Sequence, residues 1–223
     1  GNAVPPLLAA KIAKEITKHY KNLHKLSSNL ILEKNKSINV INFEKAKSKK
    51  INFNFVDFFS GAGGISIGLK NAGMKCVMAN DYDKNVKLTH EKNFPDIKFI
   101  HGDVRDKNLK KEILNYLNNK KIDLVVGGPP CQGFSIFGKR RFKNTKNYNP
   151  LEDDRNDLVK TYFEYIEKIK PKWIIMENVN GILNLGDGIY IDFIKKKLRK
   201  LNYKNFDYRI INTADYGVPQ KRK

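Results

Sequence analysis

A single cysteine stands between two prolines and a glycine in "GGPPCQGFS" (127–135), and forty-odd residues later "MENV" (176–179) delivers a glutamate and an asparagine. Two glycines and two prolines fix the backbone before Cys131, a setting that presents a side chain rather than buries it. A free thiol of ordinary pKa is only about 3% thiolate at pH 7, so a working Cys131 needs nearby cations or a helix N-terminus to raise that share. A thiolate and a carboxylic acid facing one cleft suit attack on an electron-poor ring, with protonation at a ring nitrogen by Glu177. A structural turn cysteine and a salt-bridged Glu177 are the competing readings. Cys76, inside the apolar run "KCVMAND" (75–81), reads as a small core residue.

For both side chains to meet, each must leave the carboxyl end of neighbouring strands. The pattern supplies them. "FNFVDFF" (53–59), "KCVMAND" (75–81), "IKFI" (97–100), "IDLVVGG" (122–128) and "KWIIMENV" (172–179) read as strands, with a further strand expected at "NFDYRIIN" (205–212). Helical patterns fall between them: 64–73, from Asp83 to about Asn93, near 107–119, 154–169 and about 189–201. Alternation at this spacing predicts a doubly wound, mostly parallel α/β sheet of Rossmann-like type with right-handed crossovers. Pro5 to Tyr20 predicts an amphipathic helix with Leu8, Ile12 and Ile16 on one face, widened by Ala9 and Ala13. Residues 21–50, rich in Lys, Asn and Ser, read as a linker, and 51–223 as one catalytic and cofactor-binding domain.

The first strand runs into "DFFSGAGGISIG" (57–68), where Gly61, Gly63 and Gly64 allow a tight turn and close approach to a ligand. Asp57, Asp81 and Asp103 read as carboxylates at three successive strand ends. Asp81 lies twenty residues after Gly61, the spacing at which a carboxylate accepts from ribose hydroxyls, and Asp103 is placed for an adenine edge. This predicts an adenosine-type cofactor and leaves NAD and S-adenosylmethionine both open, the lack of a G-x-G-x-x-G run weighing against NAD.

Composition bounds the rest. The 223 residues carry a net charge of +20, with 40% hydrophobic residues, two cysteines and four histidines. No apolar run spans a bilayer and no signal peptide is visible, so a cytoplasmic protein is expected. Neither a disulfide framework nor a metal site is expected. The charge favours a nucleic-acid partner, although a lysine bias spread along the chain is also what an AT-rich genome produces. In the loop after Cys131, Lys139, Arg140, Arg141, Lys143 and Lys146 are candidate phosphate contacts.

Together these segments resemble the cytosine-C5 DNA methyltransferases. "DFFSGAGG" resembles the family's first motif, "NDYD" the second, "GDV" the third, "GGPPCQGFS" the fourth, "DDRNDL" the fifth, "ENV" the sixth and "DYGVPQKRK" the start of the eighth. The resemblance implies that Cys131 adds to C6 of a flipped-out cytosine while Glu177 contacts N3 and the exocyclic amine. Gln220 and Arg222 would lie near the cleft. S-adenosylmethionine would be held by Phe59, Gly61, Gly63, Gly64, Asp81, Tyr82, Asp103, Val104, Pro130 and Leu158, with Ser135 joining the basic loop on double-stranded DNA.

The opening "GNAVPPLLAAKIAKEI" resembles the family's tenth motif, which usually closes the chain. That implies a circularly permuted order, cofactor contacts from Asn2 and Ala3, and a true start upstream of Gly1. No target recognition domain is recognisable, so a partner subunit or a further segment is expected to carry it. This chain alone is expected to bind DNA weakly and methylate poorly. A bacterial restriction-modification role is implied. A tRNA cytosine methyltransferase of the same fold, a non-catalytic subunit of a split enzyme and an NAD-dependent dehydrogenase remain the alternatives.

Overall fold

In the computed structural model, which describes residues 4–25, 52–130, 157–184 and 188–220, the apolar runs become the strands of one sheet. In chain order the elements are α1 (Pro6–Lys25), β1 (Asn54–Phe58), α2 (Gly64–Asn71), β2 (Lys75–Asp81), α3 (Lys84–Asn93), β3 (Lys98–His101) and α4 (Lys107–Leu117). There follow β4 (Leu124–Gly127), α5 (Asp157–Ile169), β5 (Trp173–Met176), α6 (Gly181–Asn184), α7 (Ile189–Lys200) and a 3-10 turn at Thr213–Tyr216. The strands run in the order β3-β2-β1-β4-β5, and every pairing is parallel.

Both faces of this sheet are buried, which is why its strands read as continuous apolar runs. Phe53, Phe55, Ala79, Phe99, Leu124 and Val126 join Ala13, Ile16, Leu69 and Phe94 in one cluster. Val56, Phe58, Met78, Ile100 and Val125 point the other way, against Ile113, Tyr162, Tyr165, Ile194 and Leu198. The alternation slips once, where the β1–β2 register shifts between Phe55 and Val56, so Phe55 pairs with Cys76 and Val56 with Met78. Val77 then packs on the same side as Met78. Asp83 and Asp106 cap α3 and α4, each side chain accepting from a backbone N–H of the first turn.

α1 is not an appendage. Leu8, Ala9, Ala13 and Ile16 are buried along one side, and the helix lies across α2 at Gly68. A Cβ at Gly68 would stand 2.4 Å from the Ala9 Cβ and 2.6 Å from both the Pro6 carbonyl oxygen and the Ala10 nitrogen. The two helix backbones therefore approach as closely as a missing side chain permits. Farther along, the His19 ring meets Trp173 of β5 edge-on at 5.5 Å.

Two expectations need correction. The helix continues to Lys25, so residues 21–25 are helical rather than linker; residues 26–51 lie outside the described residues. No strand forms at 205–212. The segment alternates like a strand, but pairing needs a partner edge as well as a pattern. Here Phe206 instead packs on one core cluster and Ile211 on another, while Tyr208 and Ile210 stay exposed.

Gly68→Ala tests how much α1 depends on this contact. Overpacking against backbone should outweigh the gain in helix propensity and cost about 1–3 kcal/mol. The expected readout is a lower denaturant midpoint, with faster amide exchange in α1 than in β1. Unchanged stability would show that the helices separate freely.

Candidate active site

β1 and β4 are neighbours, yet the loops after them lead to helices on opposite faces of the sheet. In such sheets the crevice at this reversal is where ligands bind. At the β1 side the backbone turns through Phe59 and Gly61, both with positive φ (55° and 54°). A Cβ on Gly61 would meet nothing within 4 Å, so this glycine serves the turn rather than packing.

The loop is tied to the end of β2. The Gly61 N–H donates to Asp81 Oδ2 at 2.9 Å, and the Asp83 N–H donates to Oδ1 of the same carboxylate at 3.0 Å. Each oxygen keeps a lone pair for a further donor, as a ribose hydroxyl would require. Beside it the Tyr82 ring is 68% exposed, an open apolar face at the crevice. His101 Nε2 lies 3.0 Å from the Tyr82 carbonyl, which makes Nε2 the protonated nitrogen because a carbonyl only accepts. Asn80 is buried and donates to the carbonyls of Ile100 and Gly102, joining the ends of β2 and β3. Sequence reasoning passed over Asn80; an amide at a core position of a strand was the available signal.

Asp103 is held by Arg105, whose Nε and Nη2 both donate to its carboxylate, the latter at 2.6 Å. These hydrogen bonds hold its carboxyl below the usual carboxylate range. Asp103 is thus an acceptor at neutral pH, the state that an adenine amine needs. Val104 and Leu158 are buried in one cluster, with Phe59 packed against it. The Tyr165 hydroxyl donates to the Val104 carbonyl at 3.1 Å, fixing this loop to α5. Gly63 caps α2 with φ 90°, and Gly64 begins that helix.

On the other side of the reversal, β4 and β5 pair, so the carboxyl ends of these strands meet at one edge. A Cβ on Gly128 would stand 3.0 Å from Glu177 Oε2. The Asn178 side chain donates to the Pro129 carbonyl at 3.1 Å and, through Oδ1, accepts from the Val179 N–H. The Glu177 carboxylate therefore rests against Gly128, with Pro129 and Pro130 next in the chain. Cys131, Ser135, Lys139, Arg140, Arg141, Lys143, Lys146 and Arg222 lie outside the described residues, as do Asn2 and Ala3. Gln220 is exposed, its carbonyl accepting from Thr213 Oγ1 at 2.6 Å. The segment leading to it packs Ile211 and Tyr216 against Val4, Leu8, Ala9 and Ile65.

Asp57 differs from its reading as a strand-end carboxylate. It lies inside β1, fully buried, where Ser66 Oγ donates to Oδ2 at 2.7 Å and Oδ1 has no partner. Burial, with a smaller push from the charge of Asp81, raises its pKa to about 7. Cys76 Sγ sits 3.9 Å from the same hydroxyl, its thiol pushed up by burial, as befits a core residue.

Strand order 3-2-1-4-5 with a glycine turn at the reversal is the architecture of Rossmann-like methyltransferases. A crystal structure described as a DNA modification methyltransferase encoded within a prophage (E. coli) superposes with a TM-score of 0.58 at 30% identity, covering 77% of this chain and 44% of that one. Residues 53–223 match C-5 cytosine-specific DNA methylase, and the chain belongs to that family. Type II methyltransferase M.XorII of Xanthomonas oryzae pv. oryzae is 37% identical over 175 residues, 75% of this chain and 38% of that protein. M1.HphI of Haemophilus parahaemolyticus is 36% identical over 173 residues, 75% and 43% respectively. The chain thus spans about two fifths of the length of these relatives.

The buried Asp57 predicts a pH signature. The unfolded carboxyl loses its proton near its ordinary value of 3.8, whereas the folded one keeps it to about 7, so this residue makes stability fall as pH rises from about 4 to 7. His90, buried against Phe94 and Phe99, has its pKa lowered by burial and contributes the opposite slope below 6.5. Asp57→Asn removes the first contribution alone. The stability of D57N relative to the parent should therefore rise across that window in denaturant titrations; a constant difference contradicts the assignment.

Proposed function

We propose that this chain carries the catalytic and cofactor-binding part of a type II DNA cytosine-C5 methyltransferase. The observation that carries the reading is the seat of Glu177 on Gly128, three residues before Cys131. It supports an acid acting next to the nucleophile, within a family defined by C-5 cytosine methylation.

In this reading the Cys131 thiolate forms a bond to C6 of cytosine while Glu177 supplies a proton to N3, and the electron pair released to C5 makes that carbon nucleophilic. S-adenosylmethionine, when bound, supplies an electrophilic methyl group. Loss of the C5 proton to a base then allows the sulfur to leave C6. The residues present fit this cofactor. Gly61 leaves open space, the Asp81 carboxylate keeps free lone pairs for ribose hydroxyls, the exposed Tyr82 ring offers a stacking face, and ionised Asp103 accepts from an amine. Gln220 and Arg222 belong to the cleft in the same reading.

Reaction at C5 and C6 requires the base to leave the duplex stack. Ser135, Lys139, Arg140, Arg141, Lys143 and Lys146 are suited to hold the backbone while it does so. α1 takes the role of the tenth motif, with Asn2 and Ala3 at the cofactor. Its docking on Gly68 and the packing of Val4 with Ile65 support that permuted order. Choice of a particular base sequence is assigned to elements beyond this domain, on a further segment or a partner subunit.

A duplex containing 5-fluorocytosine should trap the protein in a covalent complex in the presence of S-adenosylmethionine. This reads a single turnover and so does not need fast cycling. Cys131→Ser should abolish the adduct, and Glu177→Gln should slow its formation by about 10²–10⁴-fold. Trapping by C131S, or label transfer to tRNA in place of duplex DNA, contradicts the proposal. Neutralising Lys139, Arg140 and Arg141 should lower the slope of log affinity against log salt by about 2–3, near 0.9 per phosphate lost; an unchanged slope removes the loop from the interface.

A further inference from the structure

We infer that the outer face of α7, with the extended chain after it, is a second and sequence-independent seat for the backbone of duplex DNA, separate from the catalytic edge. α7 buries Tyr190, Ile194 and Leu198 in the core and turns Lys196, Arg199 and Lys200 to solvent. Spacing of three and four residues puts these cations side by side on one helix face. Lys204 and Arg209 continue the exposed surface, and Lys195 Nζ stands 5.5 Å from the centre of the Tyr208 ring, which ties the extended segment to the helix. Lys170, at the end of α5, lines the same cleft as Lys200 and Tyr203.

Among the described residues the acids offset this surface only in part. Asp207 is paired with Arg209 at 2.9 Å, Asp192 stands one turn before Lys196 without an ion pair, and Glu167 borders the cleft. Among the described residues no ion pair involves Lys195, Lys196, Lys197, Arg199, Lys200 or Lys204. Cations in a last helical turn also answer the helix dipole, an effect worth about 0.3–1 kcal/mol that fades beyond that turn. Lys170, Lys204 and Arg209 lie outside it, so the dipole does not account for the whole face. An anionic membrane surface also attracts basic clusters, but a stable interfacial helix adds an apolar side, and that side of α7 is already spent on the core. A polyanion with evenly spaced charge is the better match. The exposed Tyr208 offers a hydroxyl of the kind that also contacts phosphates, and the family's substrate makes duplex DNA the occupant.

This face cannot be the catalytic one. Lys172 and Glu177 stand at opposite ends of β5, five residues and about 17 Å apart at ~3.3 Å per residue. α5 and α7 both end at the Lys172 edge, away from the glycine loop and the Pro-Pro-Cys turn. Contacts here would hold non-specific DNA on the protein and let it slide or hop, without reading bases. The inference does not depend on the chemistry at Cys131.

The test uses the full chain and a labelled 30-base-pair duplex of A·T pairs only, which offers no cytosine. Binding is followed by anisotropy across about 50–200 mM salt. Lys196→Glu, Arg199→Glu and Lys200→Glu together should weaken binding and lower the salt slope by about 2–3, at ~0.9 per phosphate contact. Their adduct with saturating 5-fluorocytosine duplex should persist. Lys204→Glu with Arg209→Glu, outside any helix, should lower the slope by about 1–2 and serves should the triple variant fail to fold. C131S should bind the A·T duplex like the parent, so a failure of the catalytic reading leaves this result standing. Unchanged affinity and slope in the charge-reversed variants overturn the inference, as does retention by phosphatidylserine vesicles with no binding to the duplex.

Discussion

A parallel sheet covered on both faces must reverse its winding somewhere, and in this chain the reversal falls between β1 and β4. β1 is the strand that makes it possible. It is paired on both edges and, with Phe53 just before it, places Phe53 and Phe55 on one face and Val56 and Phe58 on the other, each all but fully buried. Three such phenyl side chains bury roughly 150–250 Å² apiece, worth several kcal/mol each at ~25 cal/mol per Å². With its centre fixed in this way, the loops after β1 and β4 diverge, and the crevice between them follows from topology. The site is consequently framed by backbone: Gly61 on one wall, Gly128 on the other.

Close approach does the remaining positioning. On the first wall α2 carries Gly68, where α1 sits backbone to backbone, so the helix that begins at the glycine loop is clamped from outside. Ser66, one turn into α2, donates to Asp57 beneath it. The loop is thus held from above by α1, from the side by Asp81 and from below by a buried carboxyl that stays protonated to near neutrality. On the second wall the Asn178 amide ties β5 to Pro129, and Tyr162 donates to the carbonyls of Val125 and Ile175 on the two strands. Both walls are braced by side chains whose polar atoms reach backbone, which keeps the spacing of the crevice independent of long surface side chains.

Most of this was legible in the sequence because parallel strands buried on both faces announce themselves as apolar runs, and because turn glycines and terminal carboxylates recur at fixed offsets from them. The placement of Glu177 beside Gly128 needed only the sheet order. What the sequence could not show was direction and partnership. Asp57 and Asp81 look alike as acids near strand ends, yet Asp57 pairs with Ala79 and turns under α2, while Asp81 stands two residues farther along at the rim. The segment 205–212 has the alternation of a strand, but hydrogen bonding to a neighbouring edge is not written in a local pattern. α1 ran past Tyr20 because a Lys/Asn-rich composition is compatible with a helix end as well as with a linker.

Charge is distributed with a logic that the net figure conceals. The carboxyl groups of Asp81, Asp103 and Glu177 gather along one edge of the sheet, each held by a specific donor or seat. Among the described residues the cations dominate the outside, mostly without acidic partners. A polyanion approaching from any direction therefore meets an attractive field whose range is about a Debye length, ~8–10 Å at physiological salt. Within the crevice carboxylate acceptors take over, and acceptors of this kind pair with hydroxyl and amine donors rather than with phosphates. Long-range capture and short-range chemistry thus call for opposite signs of charge, and the fold satisfies both by giving the strand ends to acids and the helix exteriors to bases. Lysine enrichment alone would raise the charge everywhere; it would not leave the rim of the crevice acidic.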